Sequence, residues 1–305
     1  MGLTVLSALR GVSVCATLLL AGCAIHPRTP AHHPVSSKSI SIPPKFTTPA
    51  NSEAGLASIE RQFRRNGDRR GVFAVAYLVT TRQIRADIHS GLFHDRKWAD
   101  RGLVIFANLY RDALLNYQSG CLDRVPPAWR ASFDAAASNH VTVLEDLVLG
   151  VSAHINRDLP FALEQAGIQP DPTIRYRDFL AVNHSLEAIV DDIQDCVARD
   201  YAPGLRQIET LSGRLDETVV LAAIRHARNI AWRHGVCLIT APTIADRNRV
   251  AAEIEAYALA QANRFLAPGC HMPWLARQLA CIEQRGLWPV ASPAFSGLDC
   301  PPCHQ

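Results

Sequence analysis

From about Ala54 to Leu266, apolar residues recur at helical spacing with almost no interruption. Strict two-residue alternation is scarce, and no hairpin signal of the Asn-Gly or Asp-Gly kind separates two alternating runs. A sheet is therefore not expected, and an all-α fold is: a single multi-helix bundle domain spanning 53–267. Turn residues divide it at Asn66-Gly67-Asp68, Ser119-Gly120, Pro126-Pro127, Pro170-Asp171-Pro172, Ala202-Pro203-Gly204 and Ala241-Pro242, which predicts six or seven helices. No internal repeat of fixed period is evident.

Hydrophobic residues make up 48% of the 305, enough for a sizeable core. Net charge is +3, from 31 basic and 28 acidic residues, a balance too even for an electrostatic grip on nucleic acid. No nucleic-acid partner is expected.

The ends of the chain read differently. Residues 1–22 carry one positive charge at Arg10, a short apolar run and small residues before Cys23, the pattern of a secretory signal. The apolar run after Arg10 has about half the roughly 20 residues that a spanning helix needs. The stretch Leu20-Ala21-Gly22-Cys23 resembles the bacterial lipoprotein box. That resemblance implies a lipidated Cys23 as mature N-terminus, anchored in the membrane, with an ordinary cleaved signal as the alternative. Ala24 after the cysteine implies outer-membrane sorting, so the address is the periplasmic face of the envelope. Residues 23–52 are rich in Pro, Ser, Thr and His and read as a disordered tether.

Nine cysteines suit an oxidising compartment. Without Cys15 and Cys23 the number is odd, so at least one stays free or pairs outside the chain. Cys196 and Cys237 lie in apolar helical patterns. The Cys/Pro-rich tail, 268–305, holds Cys270 and Cys281, a plausible bridge, and ends Cys300-Pro301-Pro302-Cys303-His304. That C-x-x-C-H string is the form of c-type haem attachment, with Met272 or a distant histidine as second axial ligand; disulfides, free thiols or zinc are the alternatives.

Four helical stretches carry polar residues worth following. In 100–117, Leu103, Phe106, Tyr110, Leu114 and Tyr117 share one face, while Val104, Leu115 and Asn108 occupy the other. A helix apolar on both sides is buried, so Asn108 needs partners. In 141–163, Leu144, Leu147, Val148, Val151, Ile155 and Leu159 form a stripe that includes Asp158, with His154 at its edge one turn earlier. Gly150, a further turn back, admits a close neighbour, and Pro160 kinks the helix or starts a new one. In 178–201, Asn183 flanks the apolar stripe and His184 faces solvent. In 217–239, His234 lies on the apolar face with Val220, Ala227, Ala231 and Leu238; Arg228 and Trp232 lie outside it. Arg228 there either forms a structural ion pair or holds an anionic ligand. Trp129, after Pro126-Pro127, is a core anchor.

His154 and Asp158 are the candidate site. An imidazole and a carboxylate one helical turn apart can ligate one divalent ion, with His234 as the best third ligand and His140 or Asp146 as weaker ones. The same pair can close a buried polar network with Asn108, Asn156 and Asn183 around it. It can also act as an acid–base pair, the carboxylate raising the histidine pKa. No P-loop, Rossmann glycine fingerprint or G-x-S-x-G elbow occurs.

Several stretches together resemble the bacterial domain-of-unknown-function family 5995. They are Gly71-Val72-Phe73 to Tyr77-Leu78-Val79-Thr80, Phe106-Ala107-Asn108-Leu109-Tyr110, Pro127-Ala128-Trp129, Gly150-Val151-Ser152-Ala153-His154-Ile155-Asn156-Arg157-Asp158-Leu159, Asp178-Phe179-Leu180-Ala181-Val182-Asn183 and Ala227-Arg228-Asn229-Ile230-Ala231-Trp232. The resemblance covers about 56–266 and implies an all-helical fold without naming a reaction. Ser152 replaces the family's usual Asn, and Arg157 a second His or Tyr. The His-x-x-x-Asp spacing is also similar to that of zinc-dependent phospholipases C, although the proline and second histidine that follow in those enzymes are not matched. The reading that results is a lipid-anchored binding or structural envelope module, with a metal-dependent hydrolase using His154, Asp158 and His234 as the alternative.

Overall fold

The computed structural model describes residues 39–138, 141–203 and 215–267, which form α-helices, one 3-10 turn and one π turn, with no strand among them. Order begins before the first helix. The strap 39–48 buries Ile40 and Phe46 against the core. Asn108 clamps Phe46 at both ends, its Oδ1 accepting from the Phe46 N–H at 2.8 Å and its Nδ2 donating to the Phe46 carbonyl at 2.9 Å. The packed domain thus starts well ahead of residue 53, because an amide from 62 residues downstream satisfies this non-helical backbone.

Thr48 and Asn51 form a reciprocal capping box that starts α1 (Pro49–Asn66). The opening of α2 (Gly71–Ser90) is buried on every side from Gly71 to Leu78, as an all-apolar helical run requires. Gly91, at φ 85, ends α2, and the Asp95 carboxylate accepts from the Trp98 N–H to start α3 (Arg96–Gln118). This break is absent from the sequence expectation, because Leu92 and Phe93 carry the apolar pattern across it. After a 3-10 turn at Leu122–Arg124, Pro127 opens α4 (Pro127–Ser138). A Thr142–Glu145 capping box opens α5 (Val143–Ala153).

α5 runs without a gap into a π turn (His154–Asp158) and then α6 (Leu159–Ala166). Pro160 explains the wide turn. It has no N–H to give to the Asn156 carbonyl and its ring crowds that carbonyl, so the backbone opens and the Leu159 N–H reaches back to the His154 carbonyl. The stretch 178–201 divides at Ile189 into α7 (Pro172–Ala188) and α8 (Val190–Tyr201). The last pair is α9 (Leu215–Thr240) and α10 (Ile244–Leu266), the latter capped by Thr243.

The rod α5–π–α6 is central: α2, α3, α4, α9 and α10 all pack on it. Gly150 makes the closest approach possible, since a Cβ there would lie 2.6 Å from the Phe73 Cβ. The main core gathers Phe63, Phe73, Tyr77, Tyr110, Trp129 and Phe133 beside the π turn. Burial of one ring of this kind stabilises by about 1.5–3 kcal/mol. No helix among the described residues is long and apolar enough to cross a membrane.

Candidate functional site

The π turn projects both His154 and Asp158 inward. Asp158 is fully buried and His154 is 4% exposed. Three groups converge on the Asp158 carboxylate. Trp129 Nε1 donates to Oδ2 at 2.7 Å, His154 Nδ1 meets the same oxygen at 2.9 Å, and an Arg157 Nη donates to Oδ1 at 3.0 Å. Arg157 also donates from Nε to Glu255 of α10 at 2.9 Å. The buried carboxylate is therefore neutralised and hydrogen-bonded, the condition under which burial of a charge is tolerated.

Since the carboxylate only accepts, His154 donates from Nδ1 and its Nε2 carries a lone pair. That Nε2 is sealed and has no hydrogen-bond partner. The ring lies flat against Phe106, with centroids 3.5 Å apart and an interplanar angle of 13°. Tyr77 meets it edge-on at 4.3 Å, and Phe73 and Trp129 complete the enclosure at 5.5 and 5.9 Å. Burial pushes the His154 pKa below the usual imidazole value, and Asp158 only partly opposes this. The imidazole is held neutral. Burial likewise raises the Tyr77 phenol, with the Asp158 charge adding to it.

The other candidate residues go elsewhere. Asn156 Nδ2 donates to Ser152 Oγ at 3.0 Å, so it stays on the same helical rod beside the pair. Asn108 is not part of that network; it serves the Phe46 strap. Asn183 is engaged on α7, accepting from Arg228 Nε at 2.9 Å. His234 packs against Tyr257 at 5.4 Å, and burial first, then Arg233, lowers its pKa. Among the described residues no three His, Cys, Asp or Glu side chains form a group that could hold a metal ion. One turn of helix brings His154 and Asp158 of the expected set together, and His234 faces Tyr257 on α10. Asp146, the weaker ligand, pairs with Arg69. His140, Cys23, Met272 and the tail cysteines, with their haem, zinc and disulfide readings, lie outside the described residues. Cys121, Cys196 and Cys237 are free thiols.

Arg228 forms no ion pair among the described residues. It is buried, and its guanidinium lies 4.3 Å over the Phe179 ring. The link from Trp129, a core anchor, to Asp158 is not legible in the sequence, because partners 29 residues apart leave no spacing signal. Nor does any spacing mark the role of Asp178, which is fully buried on α7 and accepts from the His94 and Asp95 N–H groups at 2.8 and 2.7 Å, fixing the entry to α3. Arg157 was readable as a partner in principle, since it adjoins Asp158 in sequence.

A family model for a "Family of unknown function (DUF5995)" matches residues 53–268, from within α1 to just beyond α10. The chain belongs to this family. The DUF5995 match holds the whole π turn, all five helices around it and Arg228 within one unit. No curated protein and no solved structure matches the chain.

Proposed function

We propose that the protein is a lipid-anchored domain of the bacterial envelope with a binding or structural role, in which His154 and Asp158 hold the helices in register. The observation that carries the reading is the closure of the pair. Asp158 is occupied by Trp129, His154 and Arg157, and the imidazole is covered by Phe106 and Tyr77. A hydrolytic site needs a position about 3 Å from the working atom where a reacting group can sit; here aromatic rings occupy the surroundings of Nε2. A buried network whose charges are paired in this way fixes one packing of α4, α5, α6 and α10.

The Leu20-Ala21-Gly22-Cys23 sequence supports the anchored, outer-membrane part of the proposal. One set of variants tests both parts. Cys23→Ser is expected to abolish acyl modification by mass spectrometry and to release the protein from the membrane fraction. His154→Ala is expected to lower stability while leaving metal content at background after repletion of tag-free protein. A stoichiometric zinc or iron in wild type, lost in His154→Ala, overturns the structural reading and restores the hydrolase.

A further inference from the structure

Other buried or half-buried cations in this fold come with carboxylates. Arg70 pairs with Asp68, Arg157 with Asp158 and Glu255, Arg175 with Asp95, and Arg69 with Asp146. Arg228 has no such partner among the described residues. Its Nε donates to Asn183 Oδ1 at 2.9 Å and one Nη to the Phe179 carbonyl at 2.6 Å, both neutral acceptors. Burial alone pushes its pKa down to about 10; no neighbouring charge contributes. A desolvated guanidinium without a counter-charge is a cost that a fold rarely carries without use.

The donors left over have a direction. Of the five guanidinium N–H groups, two are used. The other Nη has no hydrogen-bond partner among the described residues, and the residue keeps 6% exposure. Around it the surface is apolar and incompletely covered. Tyr176, 38% exposed, stacks near Phe179, and both pack on the half-buried Trp232, ring centroids 4.9 Å away in each case. Leu180, also half-buried, packs on the same cluster as Phe179 and Trp232.

We propose that Arg228 anchors a binding site for an organic carboxylate with an apolar body, the acid group meeting the free guanidinium edge and the body lying against Tyr176, Trp232 and Leu180. A planar carboxylate matches the guanidinium fork and supplies the missing charge. This deepens the binding reading of the protein and is independent of the His154 centre and of the lipid anchor.

Calorimetric titration of the full-length chain, kept in solution by Cys23→Ser, with octanoate tests it. Saturable binding is expected, about tenfold or more weaker for octanol, which lacks the charge, and for inorganic phosphate, which lacks the body. Arg228→Met is expected to lose octanoate binding while keeping its helical circular dichroism and melting no lower than the unliganded wild type. Arg228→Lys, with charge but no fork, is expected to weaken binding about tenfold. Absence of saturable binding by wild type overturns the site, as does unchanged binding by Arg228→Met or Arg228→Lys. Equal binding of phosphate or of octanol overturns the ligand class. Should Arg228→Met fail to fold, the wild-type and Arg228→Lys titrations decide. A negative result here leaves the Cys23 acylation and the His154→Ala outcome standing as separate tests.

Discussion

Two buried polar centres, one in the π turn and one between α7 and α9, are built on contrary principles. Around Asp158 every formal charge has an answer: the carboxylate faces Arg157, Arg157 also faces Glu255, and the adjacent imidazole is kept neutral by desolvation. Around Arg228, among the described residues, the charge is answered only by an amide oxygen, a backbone carbonyl and the face of a ring. The first arrangement balances its charges within the chain and favours a single packing. The second is incomplete, which is the state expected where a partner from outside finishes it.

The sharpest way to break this contrast is Asp158→Ala. It strands the Trp129 N–H and the His154 N–H in the interior and leaves Arg157 with Glu255 alone, and a loss of about 4 kcal/mol in urea unfolding is expected. Trp129→Phe comes next. It removes a charge-assisted hydrogen bond and opens a small void, with an expected loss of about 2–3 kcal/mol in the same measurement. A third effect is pH-dependent. The folded His154 pKa lies below the unfolded value of about 6.5. The unfolded chain therefore takes up the proton first, and the stability from neutral His154 is present above about pH 6.5. It is lost as pH falls from there through the depressed folded pKa, with a slope of at most about 1.4 kcal/mol per pH unit. Chemical unfolding of wild type against His154→Gln between pH 7 and 5 checks this: the variant should lack that slope, and a slope shared by both would assign it to other groups. The smallest effect belongs to the other centre. Arg228→Met is expected to change unliganded stability by no more than about 1 kcal/mol, toward greater stability. A loss comparable to that of Asp158→Ala would erase the difference between the two regions.

Much of this architecture is readable in the residues. The helical period and the absence of alternation dictate the fold class, and most helix ends fall where Gly, Pro and Asn interrupt the pattern. The inward placement of Asp158 follows from its position within the stripe, and Gly150 marks a close approach that Phe73 makes. What escapes is tertiary. The enclosure of His154 draws rings from α2, α3 and α4, and no local spacing encodes that convergence. The strap at 39–48 reads as tether because its composition is polar, yet two apolar side chains and one distant amide suffice to fasten it. Arg228 falls outside the apolar arc of its own helix, and it is α7 that covers it.

The widened turn at His154–Asp158 also governs how this chain can vary. One surplus residue per turn amounts to a phase slip of about 100° between the two halves of the rod. Excising a single residue there would leave composition and length almost untouched, yet it would swing Leu159, Leu163 and Ala166 off the side they now present to Phe179 and Ala231. Substitution within the segment is thus a local event, whereas a change in its length re-addresses every contact downstream on α6.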